Sequence, residues 1–211
     1  MAEHQASAAQ RFFTDLLVAH LTSPHFVQDE AELRRIAEEG GFCPTTNRFA
    51  VLVVQIERWS NLFSSEAQWL EATKHHFFLL TNMLQELLDQ ENLAIIAEKD
   101  YQLVCLVNLR QRWPAFRSAL LTLLQQMMEV METEFDVSVS IAVSEEAAGL
   151  TGLPGAYQQA LDVLWYNTFL EEDRQITFYE DLYGDLLPMI RSDLTVLDKK
   201  LITKLQLRDA A

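Results

Sequence analysis

Residues 93–108, LAIIAEKDYQLVCLVN, are two apolar runs joined by a short polar turn near Lys99-Asp100, the pattern of a β-hairpin. What constrains the fold is the flanking sequence. A helical pattern precedes the hairpin over about 65–90, and a second follows over 114–134. An apolar strand, FAVLVVQIE (49–57), stands before the first helix, and VSVSIAV (137–143) follows the second. The chain order β-α-β-β-α-β is the split β-α-β arrangement, an α+β domain with helices packed on one sheet.

The side-chain pattern places each element. In the first strand Phe49, Val51 and Val53 point one way, and Ala50, Leu52, Val54 and Ile56 the other. Both faces need cover, so this strand is expected at the centre. The 65–90 helix turns a stripe of Trp69, Ala72, His76, Leu80, Met83, Leu84 and Leu87 inward. Pro114 suits the first turn of the next helix. In 137–143 the residues Val137, Val139, Ile141 and Val143 face inward, with Ser138, Ser140 and Ala142 on the other side. Gly149–Pro154 is a turn, Pro154 opens a helix over 155–170, and Ile176–Tyr179 is a short edge strand. Ahead of the sheet, residues 7–22 form an amphipathic helix ended by Ser23-Pro24. Asp29 caps a second helix, which Gly40-Gly41 closes. The expected division is an N-terminal helical extension (1–48), the α+β domain (49–180) and a C-terminal helical linker (181–211). In the linker Leu194, Leu197, Leu201 and Leu205 recur every three or four residues, leading toward a further module.

The formal net charge is −15. Residues 49–180 hold 7 basic and 19 acidic groups, against 4 and 7 in 1–48 and 5 and 5 in 181–211. Such a domain repels a phosphate backbone and carries no basic stripe, so no nucleic-acid binding is expected of this chain by itself. No apolar run reaches the ~18 residues of a membrane span, and MAEHQASAAQ has no secretory pattern. The two cysteines, Cys43 and Cys105, have no CxxC spacing and point to neither disulfide nor zinc. A cytoplasmic protein is expected. His75 and His76 are adjacent on a helix, about 100° apart, and cannot chelate one ion in the usual way. Glu71 and His75, one turn apart, read as a surface pair. Trp59, Trp69, Trp113 and Trp165 fall on separate elements and read as core or rim aromatics rather than a ligand cage. The glycines of Gly149–Gly155 lack the Lys-Ser/Thr of a phosphate loop. No cofactor, metal site or catalytic residue is expected.

The layout resembles GGDEF domains, the ferredoxin-like diguanylate cyclase fold related to class III nucleotide cyclases. In active members the first strand ends in D-x-D-x-F-K, whose first Asp binds magnesium. The matching stretch here is Gln55-Ile56-Glu57-Arg58-Trp59-Ser60, with a neutral amide at the metal position. The GGDEF signature falls at the hairpin turn, where this chain reads Glu98-Lys99-Asp100-Tyr101-Gln102-Leu103, without either glycine. The resemblance therefore makes Gln55, Glu57, Glu98, Lys99 and Asp100 degenerate active-site positions. The segments RFFTDLLVAHL, FAVLVVQIE, DYQLVCLVN, VSVSIAVS, AYQQALDVLWYNTF and ITFYEDL together resemble the GGDEF-like regulatory domain of YesN-type AraC-family transcription regulators. In those proteins the domain lies between a sensor and a helix-turn-helix pair.

The resemblance implies a non-catalytic signalling or dimerisation domain of a bacterial regulator. Its partners would be a second copy or neighbouring modules of a longer protein, and this chain would be a piece of it. The alternative is a sensor of a small metabolite or nucleotide in the remnant cleft, and behind both stands a divergent cyclase. Phe12, Phe13, Leu16 and Leu17 form a broad apolar surface on the first helix. They are expected either to associate with another module or to fold back onto the sheet.

Overall fold

The computed structural model describes residues 14, 16, 19–21, 29–56, 66–89, 93–170 and 175–182. Its centre is β1 (Arg48–Ile56), flanked by the hairpin β2 (Leu93–Lys99) and β3 (Gln102–Asn108) on one side and by β4 (Val139–Val143) and β6 (Ile176–Phe178) on the other. The strand order is β2-β3-β1-β4-β6, and a short β5 (Ala147–Ala148) pairs with the start of β1. All neighbours are antiparallel except β4 and β6, which are parallel. The sheet is therefore mixed, and among the described residues β2 and β6 lie at its edges.

Alternation along β1 divides the core. On one face Ala50, Leu52 and Val54 meet α2 (Glu66–Asp89) and α3 (Trp113–Phe135). On the other face Phe49, Val51 and Val53 meet α4 (Leu153–Leu170) and α1 (Glu30–Glu39). Residues Phe49 through Val54 are all completely buried, the property of a strand covered on both sides. The inner stripe of α2 is Phe77, Leu80, Leu84 and Leu88, with Met83 and Leu87 at its margin. His76, expected in that stripe, is only half-buried, because the helix is rotated to drive Phe77 into the sheet.

α1 follows its sequence signals closely. The Asp29 carboxylate accepts from the Ala31 N–H at 2.9 Å. At the other end Gly41 takes φ +85°. There the Gly41 N–H donates to Glu38 O and the Phe42 N–H to Ala37 O, a Schellman closure that turns Phe42 into the core. The helix lies against the second face through Leu33 and Ala37. Leu21 of the preceding helical stretch joins the same cluster.

The hairpin turn is one residue later than expected. Lys99 and Gln102 are paired, and Asp100 (φ 49°) and Tyr101 (φ 60°) form the two-residue loop. Two successive positive φ values define a type I′ turn, whose twist matches the strands it joins.

Candidate functional site

Register brings the expected positions to one end of the sheet. Lys99 pairs with Gln102, Gln102 with Gln55, and Gln55 with Ser140. Directly paired residues project from the same face. These four therefore form a polar row across β2, β3, β1 and β4, on the face covered by α4. Below it the same face is apolar: Val53, Val104, Leu106 and Ala142 belong to its core.

Within the row, Gln102 Nε2 donates to Gln55 Oε1 at 3.0 Å. Each neutral amide thus serves as the other's partner at a half-buried site. Lys99 Nζ pairs with the Asp100 carboxylate and lies 6.0 Å from the centre of the Tyr157 ring of α4. The hydrogen bond to Asp100 raises the Lys99 pKa above 10.5, burial opposes the shift, and Tyr157 adds to it. The charged ammonium is thus favoured at this position. Glu98, one residue earlier, is exposed on the opposite face. It is not brought to Gln55, and Asp100 sits at the solvent-exposed tip. Glu57 lies outside the described residues, as do Trp59 and the 61–65 segment.

Gln102, Tyr101 and Tyr157 complete this end of the sheet and were not singled out from the sequence. Gln102 was legible in principle, since a hairpin register fixes which residue of β3 lies opposite Gln55. Tyr157 was not, because α4 reaches the row only through tertiary packing.

The remaining candidates are dispersed. Trp113 packs between Phe116 and Phe178, at ring distances of 5.8 and 6.4 Å, and donates to Glu180. Trp165 is exposed on α4. The side chain of Trp69 lies outside the described residues. The His75 and His76 rings are 6.0 Å apart, and burial lowers the His76 pKa, with His75 adding to the effect. No group of three His, Cys, Asp or Glu side chains suited to a metal occurs among the described residues. Cys105 is fully buried, which pushes its thiol up to about 12, whereas Cys43 is exposed. Of the apolar surface expected on the first helix, Leu16 is half-buried, and Phe12, Phe13 and Leu17 lie outside the described residues. No helix among the described residues is long and apolar enough to cross a membrane.

A family model described as a GGDEF-like domain matches residues 23–165. No curated protein matches the chain.

Proposed function

The chain belongs to the GGDEF-like domain family, and from that premise we propose that it is a non-catalytic signalling and dimerisation domain of an AraC-family regulator. In this reading it couples an upstream sensor to a helix-turn-helix module outside this sequence. The fold assignment that goes with it is the ferredoxin-like, nucleotide-cyclase-like class, and the setting is the bacterial cytoplasm. An acidic domain of this kind leaves DNA contact to another module.

The observation that carries the reading is the Gln55–Gln102 amide pair. Set on the two positive-φ positions, rather than on Glu98 and Lys99 where the sequence reading placed them, the two signature glycines fall on Asp100 and Tyr101. The acidic third letter then falls on Gln102, directly across from Gln55 at the metal position. Two opposed carboxylates can hold a hard divalent ion; two amides satisfied by each other offer it no charge. Side chains on Asp100 and Tyr101 stand where glycines would let a nucleotide approach the backbone.

The test is incubation with GTP and magnesium. No cyclic dinucleotide above a buffer control is expected, and turnover would overturn the non-catalytic reading. One observation favours a second reading, a metabolite or nucleotide sensor. The polar row ends in a positively charged lysine beside a tyrosine, in a domain otherwise rich in acid. A thermal-shift screen with nucleotides and sugars separates the two, since only a sensor gains stability with ligand.

A further inference from the structure

We propose that Arg117 is the clamp by which this domain fixes the chain leaving it: one guanidinium holds Glu180 and Asp181 and so sets the point from which residues 183–211 continue. The proposal deepens the signalling half of the function above and rests on it.

The chain enters and leaves the sheet at the same end. β1 begins at Arg48, and β4 and β6 run antiparallel to it, so β6 ends toward the start of β1. The polar row of Gln102, Gln55 and Ser140 lies at the opposite end. A module that follows this domain is thus joined to the sheet through the turn after β6, away from that row.

Residues 179–182 form one helical turn directly after β6. The turn wraps the margin of the sheet. Phe178 belongs to the core on the first face, whereas Leu182 is buried in the core on the second and Tyr179 packs against it. Between Tyr179 and Leu182, Glu180 and Asp181 reach back to the start of α3. Arg117 Nη2 donates to both Asp181 oxygens, at 2.8 and 3.0 Å, and Arg117 Nε forms an ion pair with Glu180 Oε1. The guanidinium lies over the Phe178 ring, 4.4 Å from its centre. The Trp113 indole donates to the other Glu180 oxygen at 3.3 Å.

The two anchorages differ in kind. Leu182 and Tyr179 hold the turn to the second face by apolar packing, which salt does not weaken. Arg117 holds it to the first face by charge, through a planar fork that meets two carboxylates at once. The Arg117, Glu180 and Asp181 side chains are 32 %, 36 % and 40 % exposed, so ions in solution reach this contact. Without the cation, two adjacent carboxylates would stand unneutralised beside α3 and repel each other. The clamp is thus a releasable contact next to a permanent one, at the place where the chain departs.

Amide exchange on the full chain, in low and in high salt, tests it. In Arg117→Gln, and independently in Glu180→Gln with Asp181→Asn, the amides of 180–182 should exchange about tenfold faster while those of β1 and β3 keep their rates. Arg117→Lys, a point charge without the fork, should fall between. High salt should speed the same amides in the wild-type chain and change little in either neutral variant. Exchange of 180–182 at the wild-type rate in either folded variant overturns the clamp. Faster exchange spread evenly over β1 also overturns it, since Arg117 would then be a support of the core. The paired acid variant alters only half-exposed side chains and decides the matter if Arg117→Gln fails to fold. Cyclic dinucleotide formation from GTP would overturn the signalling reading and leave the clamp standing.

Discussion

Gly149→Ala tests how α1 is fastened to the start of α4. Gly149 has φ +75°, just before the 3₁₀ turn Leu150–Gly152. The Glu30 carboxylate of α1 lies against it, accepting from the Leu150 N–H at 3.0 Å and the Thr151 N–H at 2.9 Å. A Cβ at 149 would stand 2.8 Å from Glu30 Oε2 and 3.1 Å from its Cδ. Two costs follow. At φ +75° and ψ 168° the backbone lies in a region that essentially only glycine adopts, so alanine there costs about 1–3 kcal/mol, partly offset by about 0.5 kcal/mol from a stiffer unfolded chain. Displacing the carboxylate loses two charge-assisted hydrogen bonds. With the Glu30 side chain 34 % exposed, water replaces part of these, leaving about 1–3 kcal/mol for the pair. Gly149→Ala should therefore cost about 2–5 kcal/mol, and Glu30→Ala about 1–3 kcal/mol. The hydrogen bonds can be lost only once. The double variant should resemble Gly149→Ala alone and fall short of the summed single effects by the Glu30→Ala cost, about 1–3 kcal/mol. Urea unfolding followed by circular dichroism, with an unchanged slope, measures all four corners. Additivity within about 0.5 kcal/mol would refute the claim that the carboxylate and the glycine share one site.

Three further outcomes are expected. His20 is almost completely buried, and burial lowers its pKa from 6.5, against the opposing influence of the Leu150 backbone and Glu30. The unfolded chain takes up a proton that the folded one resists, so stability is full above about pH 6.5 and falls below it; urea midpoints should drop with pH, and His20→Leu should remove part of the slope, with His76, whose pKa burial also lowers, contributing another part. Cys43 should react with a thiol reagent in the native chain while Cys105 reacts only in denaturant; modification of both without unfolding would contradict the packing around β3. The chain should give no saturable shift of duplex DNA at physiological salt, given its charge of −15.

The sheet was legible in the sequence because burial on two faces leaves an unambiguous record. A short run rich in β-branched residues such as Ala50–Val54 is the pattern of a strand covered on both faces. α1 was legible because Asp29 and Gly41 act on backbone groups within a few residues of themselves. The turn was misplaced by one residue because neither Asp100 nor Tyr101 is the glycine that usually marks positive φ. Of the candidate site, Gln55 was readable from its place at the strand end. That Gln102 would be its partner, that Glu98 would turn to the other face, and that Tyr157 would stand beside Lys99 depended on register and on where α4 lies. These are long-range relations, between residues tens of positions apart, and local sequence pattern carries propensity and periodicity but no distance across the fold. The sequence by itself determined which residues could be buried and which residue types stand at the strand end and the hairpin; the tertiary structure decided which of those polar groups meet, because register and helix packing join residues far apart in the chain.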